Sequence, residues 1–336
     1  MQIADKKPIS LMEVPIVDGK PVMPSREELE NASRDGAKTM RDLWAQNISI
    51  NQDYVIANRI PSTKSEYATR KPWRDILAPL VPELYYVARE AAYEVKRRRI
   101  NATRNKVILC GTGNSLLRSS LYLHEAIKKG WHVMAVDRAR PQLLSWGIRP
   151  VCTVTLDAQE HVINYFDGLT KDETVFASFQ THPDLLKLVQ ESPAKLRVNT
   201  TWDEEGLNQH IKDKVGKDYL CVMAHCIVMP TALNIAIMLG YKTVATIGNE
   251  LGWDSAAAVE DIYKGSTKED ENGWHSIKAF RDAADGFRDI ARALKASNAF
   301  YCKEKEYVER RLIDCSGGID KGYPYMHISQ MLSEVK

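Results

Sequence analysis

The residue types able to do chemistry in this chain collect where short apolar runs end. Lys106-Val-Ile-Leu-Cys110 runs into Gly111-Thr-Gly-Asn-Ser115, His132 to Val136 ends on Asp137, and Val151 to Leu156 ends on Asp157. Glycines that follow a strand and open a helix let backbone amides approach a phosphate, and the helix amino terminus adds a favourable dipole. Asn114 and Ser115 add side-chain donors. A plain tight turn also explains two glycines, since the third of the dinucleotide fingerprint is missing; the strand-loop-helix context favours phosphate. A carboxylate at a strand's end can hold a ribose hydroxyl or a metal-bound phosphate, or it can merely cap the next helix. The functional reading is preferred for Asp157, and Asp137 is left open.

Proton transfer needs a base near neutral pH. His225, in Ala224-His-Cys226, and Glu250, in Gly248-Asn-Glu-Leu-Gly-Trp-Asp254, follow later strand-like runs. A histidine there suits general-base work, and a glutamate does if burial raises its pKa. His182, in Gln180-Thr-His-Pro183, is a further candidate, with the first turn of a helix as its plain explanation. Cys221 and Cys226 beside His225 lack a second pair at finger-like spacing, so no metal site is expected. The six cysteines are scattered, three within strand-like runs, and do not read as a disulfide framework.

These residues need a scaffold. Ser25-Arg-Glu-Glu28 is a capping-box pattern that predicts a helix from about 26 to 46, after an extended proline-containing arm. Residues 48–70 are polar and irregular, and a second helix is expected from about Glu83. Strands are then expected at 106–110, 132–136, 151–156, 174–179, 195–199, 219–224 and 243–248. Helical segments separate them, among them 116–129 ended by Gly130 and 230–239 ended by Gly240; 274–295 is amphipathic. Alternation of this kind predicts an α/β, mostly parallel, Rossmann-like sheet with helices on both faces. A helical amino-terminal flank precedes it. The expected division is a flank over 1–104 and a nucleotide-binding domain over 105–336.

At 336 residues, 44% of them hydrophobic, the chain can bury a substantial core. No apolar run approaches the roughly 20 residues of a membrane span, and Met1-Gln-Ile-Ala-Asp-Lys-Lys7 is unlike a signal peptide, so a cytoplasmic protein without membrane contact is expected. A net charge of +2 demands no nucleic-acid partner. The local run Lys96-Arg-Arg-Arg99 reads first as a solvated helix end and only second as a DNA contact.

Taken together, Gly111-Thr-Gly-Asn-Ser-Leu116 and Asp137-Arg-Ala-Arg-Pro-Gln-Leu-Leu-Ser-Trp-Gly-Ile-Arg-Pro150, running into Thr155-Leu-Asp157, resemble the 6-hydroxymethylpterin diphosphokinase MptE-like domain. That domain also occurs in motility accessory factor proteins of flagellin glycosylation and looks like a relative of one bacterial sialyltransferase fold. Met229 to Gly240 with Ile247-Gly-Asn-Glu-Leu251 is similar to the family's small-residue helix and its strand ending in Gly-Gln-Asp-Leu. Arg311-Leu-Ile-Asp-Cys-Ser-Gly-Gly318 is similar to its closing Asn-Ala-Thr-x-Gly-Gly segment. The resemblance spans 106 to about 332 in order. It implies a nucleotide bound across Gly111 to Ser115, Asp157, Asn249 and Glu250, with Gly317 and Gly318 nearby.

Three positions depart from the family: Asn114 replaces proline, Val151 replaces an acid, and Asn249-Glu250 replaces Gln-Asp. Diphosphoryl transfer from ATP needs Mg²⁺ held by carboxylates and phosphates, and an apolar residue at 151 is expected to leave Asp157 without a near partner. Sugar transfer from a nucleotide donor can proceed without metal. The sequence therefore points first to a glycosyltransferase-like enzyme using a nucleotide sugar. A Mg-ATP-dependent diphosphokinase acting on a pterin-like alcohol comes second, and a non-catalytic nucleotide-binding or structural protein third. The acceptor (protein, glycan, pterin-like alcohol or, last, DNA) is open, and a homo-oligomer is compatible with the arm.

Overall fold

The computed structural model describes residues 16–17, 20–21, 26–62, 106–201, 221–222, 227–255, 267–301 and 311–335. The expected helix from Glu83, the basic run at 96–99 and His225 lie outside the described residues. Two compact units are present, Met1–Gln46 and Asn47–Lys336. In the first, β1 (Ile16–Val17) and β2 (Lys20–Pro21) pair antiparallel, and helix α1 (Arg26–Ala57) begins. That helix runs eleven residues beyond the expected end at 46. Its carboxyl-terminal stretch, from Asn47 on, belongs to the second unit.

The second unit is built on an eight-stranded parallel sheet in the order β12-β9-β3-β4-β5-β6-β7-β8. In chain order the strands are β3 (Lys106–Cys110), β4 (His132–Val136), β5 (Cys152–Thr155), β6 (Thr174–Ser178), β7 (Lys195–Thr201), β8 (Cys221–Val222), β9 (Thr243–Ile247) and β12 (Arg311–Asp314). A small antiparallel hairpin, β10 (Lys268–Glu269) with β11 (His275–Ser276), lies outside the sheet. The connecting helices are α2 (Asn114–Leu117), α3 (Ser120–Lys128), α4 (Ala139–Ser145), α5 (Pro183–Glu191), α6 (Val228–Met238) and α7 (Lys278–Tyr301), with a 3₁₀ turn at Glu160–Tyr165 and a final helix α8 (Ile328–Glu334). From β3 the chain adds strands in one direction as far as β8, then returns to lay β9 on the other side of β3. Right-handed crossovers accordingly put α3, α4 and α5 on one face and α6 and α7 on the other.

Each strand from β3 to β6 is buried along nearly its whole length, as a parallel sheet covered on both faces requires. Helix α6 is buried from Met229 to Met238, all round its circumference, and this explains its near-continuous apolar run. The seven strands expected from the sequence are found. The eighth, β12, ends on Asp314 within the segment recognised by its Asp-Cys-Ser-Gly-Gly pattern.

Beneath α4 lies a charged strut that the sequence did not reveal as one. Arg140, fully buried, donates from Nε to Glu173 Oε2 at 2.9 Å, and its Nη1 binds the carbonyls of Tyr165 and Asp167. Arg149 Nη1 reaches the other oxygen of Glu173 at 2.7 Å. Removing Arg140 leaves Glu173 Oε2 and the carbonyls of Tyr165 and Asp167 without that partner, although Arg149 still faces Oε1, and breaking such a buried pair costs about 3 kcal/mol. Arg140→Ala should lower the unfolding free energy by that amount in a urea titration, and Arg140→Met should cost no less than Glu173→Gln.

Candidate functional site

Where β9 lies beside β3 the chain's direction of travel reverses, and in open α/β sheets the crevice at such a switch point is where ligands bind. The two strand ends meet there through glycine backbones. Gly111 N donates to Ile247 O at 2.7 Å and Gly113 N to Gly248 O at 2.9 Å. A Cβ on Gly111 would collide with the Gly248 carbonyl, and one on Gly248, whose φ is +70°, would collide with the Gly111 carbonyl. Neither loop tolerates a side chain at that point.

Ser115 and Glu250 lock the contact. Ser115 Oγ accepts from Gly248 N at 2.8 Å, and the Ser115 amide donates to Glu250 Oε1 at 2.5 Å. The second oxygen, Oε2, lies over Gly113 and is buried without a hydrogen-bond partner among the described residues. The carboxylate thus sits at the amide where a bound phosphate was expected. With Gly111, Gly113 and Ser115 donating inward, the exposed Thr112 and Asn114 supply the loop amides that no internal bond takes among the described residues. Asn249 is 4% exposed, its amide held by Ser316 Oγ at 3.0 Å, and its buried side-chain Nδ2 has no acceptor among the described residues.

Gly317 and Gly318 close on the same place. Gly318, at φ +83°, approaches so near that a Cβ would strike the Glu250 carbonyl, and Ile319 N donates to that carbonyl at 2.9 Å. The loop is fixed by Lys321, wholly buried, whose Nζ binds Asp314 Oδ2 at 2.9 Å and the carbonyls of Gly317 and Ile319. Leu251, at φ +61°, carries backbone strain directly after Glu250.

Two strands along, the carboxylates gather. Asp137 ends β4 and is buried; Arg138 N donates to its Oδ1 at 2.7 Å and Thr155 Oγ1 to its Oδ2 at 3.0 Å. Asp157 follows β5, accepts from Gln159 N at 2.9 Å and pairs with His161 Nε2 at 3.2 Å. Desolvation, reinforced by the neighbouring charge of Asp157, pushes Asp137 up to about 6, against the pull of its hydrogen bonds. Gly111 and Asp157 stand at the carboxyl ends of strands two apart, roughly 10 Å across the sheet, with Asp157 three residues further along than the residue level with Gly111.

The chain belongs to the MptE-like family. The match, to the family described as 6-hydroxymethylpterin diphosphokinase MptE-like, covers residues 80–256 and so includes the Gly111 loop, both aspartates and Glu250. Among solved structures the chain is similar to a MAf glycosyltransferase from Magnetospirillum magneticum AMB-1, at 16% identity and a TM-score of 0.49 over 67% of this chain. It spans 34% of that protein's length. No curated protein matches.

Within the MptE-like framework the sequence candidates separate. Gly111, Gly113, Ser115, Gly248, Asn249, Glu250 and Gly318 are brought together; Asp137 and Asp157 are joined through Thr155. His182 N donates to Asp157 O at 3.0 Å, but its Nδ1 accepts from Asp184 N and caps α5. A neutral imidazole accepting at Nδ1 carries its proton on Nε2, so His182 is placed to donate rather than to take a proton. Val151 stands at the beginning of β5 and Asp157 after its end, six residues away or roughly 20 Å. An acid at 151 would therefore not have been a partner for Asp157, contrary to the sequence expectation; Asp137 and His161 are its neighbours. His161, four residues after Asp157, was legible from that spacing. His275, tied by backbone bonds to Trp253 just beyond Gly252, was not.

The raised pKa of Asp137 has a definite sign. Its folded value lies above the unfolded one, so ionisation opposes folding: the cost is absent below about pH 3, grows between the two values and is complete above about pH 6, at roughly 3 kcal/mol. Asp137→Asn should melt higher than the wild type at pH 7.5, and the difference should vanish in melts at about pH 3.

Proposed function

We infer that this is a nucleotide-dependent transferase that moves a sugar from a nucleotide-activated donor to a hydroxyl acceptor. The observation that carries the reading is the switch-point crevice, where two mutually packed glycine loops, a buried Asn249 amide without an acceptor and a pair of strand-end carboxylates line one edge of the sheet. The donor's phosphate meets the amides of Thr112 and Asn114, and Asn249 and Asp157 hold the nucleoside. Among the described residues the segments directly after β3 and β4 contribute the exposed Arg118 and Arg138, and Lys321 after β12 is spent on Asp314. That sparse positive charge suits a donor with one or two phosphates better than an unaccompanied triphosphate.

In this reading the acceptor hydroxyl gives its proton to the Asp137–Asp157 pair as its oxygen attacks the sugar's anomeric carbon. The bond to the nucleotide phosphate breaks, and its electron pair leaves on the phosphate oxygen. His182 Nε2, carrying a proton, is a donor for the leaving group. Turnover would rise as Asp137 ionises through about pH 6.

Diphosphoryl transfer from Mg-ATP is the second reading, and it rests on the closeness of Asp137 and Asp157. Among the described residues no group of three or more His, Cys, Asp or Glu side chains forms a metal site. Two carboxylates completed by donor phosphates and water are nevertheless a set that Mg²⁺ accepts. No helix among the described residues is long and apolar enough to cross a membrane, so a dissolved donor is the simplest supply.

A thermal-shift screen with CMP, UDP, GDP and ATP, each with and without Mg²⁺, separates the readings, because a ligand at one hundred times its Kd adds about 2.7 kcal/mol of apparent stability. Stabilisation by CMP, UDP or GDP without metal is the expected result. A response to ATP that requires Mg²⁺ would replace sugar transfer by the kinase reading, and silence to all four would sink both. Asp157→Ala should lose the response by tenfold or more in affinity, about 1.4 kcal/mol.

A further inference from the structure

Two asparagines on α1 bind neither sheet nor helix but the loops that carry the candidate site. Asn47 Nδ2 donates to Ala158 O and to Gln180 O, both at 3.1 Å. Asn51, one turn later on the same face, donates from Nδ2 to Phe179 O at 2.9 Å and Thr181 O at 2.7 Å. Both side chains are buried, Asn47 at 3% exposure and Asn51 at none. Ala158 follows Asp157 directly, and Gln180 and Thr181 precede His182.

A single NH₂ group that satisfies carbonyls from two different loops fixes the distance between them. Both oxygens must stand about 3 Å from the same nitrogen, so the loop after β5 and the loop after β6 cannot separate without breaking a buried bond. The loops also clasp each other through His182 N to Asp157 O, and Thr181 Oγ1 donates to Thr155 O at 3.4 Å; the asparagine adds a further point from outside the two loops. Ile48, Val55 and Ile60 sit in the apolar cluster that includes Val162, Phe166 and Phe179, which holds this stretch of chain against the same layer. Positions 47 and 51 precede the region matched by the family, which begins at residue 80.

We propose that Asn47 and Asn51 are positioning residues: the carboxyl-terminal stretch of α1 is part of the active-site architecture and sets the separation of Asp157 from His182. The catalytic consequence rests on the transferase reading above, whereas the clamp itself can be measured without any nucleotide. Two alanine substitutions, Asn47→Ala and Asn51→Ala in the full chain, followed by hydrogen exchange with residue resolution, test it. The amides of Gln159, Thr181 and His182 should exchange about tenfold faster in Asn47→Ala, while those of Leu109 and Ala245 in the sheet centre keep their wild-type rates. If a nucleotide-sugar donor is turned over by the wild type, kcat/KM for the donor should fall about tenfold, because Asp157, which holds the nucleoside, shifts while the Gly111 loop is untouched. Unchanged exchange at the three loop amides would overturn the proposal. So would exchange accelerated equally at Leu109 and Ala245, or loss of the folded state, since the asparagines would then serve only global stability. A wild type that binds no nucleotide but passes the exchange test would refute the transferase reading and leave the clamp standing.

Discussion

Everything in the candidate site hangs on one backbone contact, the mutual approach of Gly111 and Gly248 at the point where the sheet changes direction. Each glycine's carbonyl fills the space a Cβ of the other would need, and the bonds from Gly111 N and Gly113 N knit the β3 loop to the end of β9. This closeness has two effects. It draws Glu250 over the first turn of α2, and it places Asn249 so deep that its side-chain amide loses water without gaining a protein acceptor. A parallel sheet alone would have left a cleft between the two strand ends. The glycines narrow that cleft to one that presents alternate amides.

Around that contact the protein fixes its loops with buried polar groups whose bonds are made to backbone. Lys321 holds the Gly317-Gly318 loop, Arg140 holds the segment from Tyr165 to Asp167, and the two asparagines of α1 hold the loops after β5 and β6. Lys321 and Arg140 also carry a buried carboxylate partner, Asp314 or Glu173. Burying a charge is expensive unless it is fully bonded, so each of these struts is stable in one arrangement of its loop and costly in any other. Asp137 differs from them: it is buried with a second carboxylate nearby and its pKa is raised, so its ionisation opposes folding where the struts support it.

The sheet was readable because β3 to β6 and β9 are short apolar runs buried on both faces and punctuated by Gly, Ser or Asp, so composition and spacing carry the signal directly. The extension of α1 was not readable for a physical reason. Asn47 and Asn51 occupy positions where a helix stripe should be apolar, and their bonds go to carbonyls more than one hundred residues away. A polar residue satisfied by a distant loop looks, in sequence, like a residue facing water. Arg140, whose partners lie 25 to 33 residues away, is hidden in the same way. Ser115 was legible as a site residue from its loop, but that Glu250 would take its amide was not, because the two meet across 135 positions.

Residue 151 shows how a sound chemical rule can be attached to the wrong place. Two carboxylates near a phosphate do favour metal-assisted phosphoryl transfer, and an acid missing from the pair should count against it. But a strand has two ends, and residue 151 stands at the one remote from the ligand edge, while the partner of Asp157 arrives from the neighbouring strand as Asp137. Removing an acid at 151 therefore changes nothing within reach of a donor phosphate, and the substitution loses its force as a reason to prefer sugar transfer. What remains to separate the two reactions is charge at the carboxyl edge itself, where the described residues include Asp137, Asp157 and Glu250, the exposed Arg118 and Arg138, and Lys321 already paired with Asp314. Such an edge can meet a triphosphate only if a cation comes with it, whereas it can meet a sugar nucleotide's smaller charge unaided.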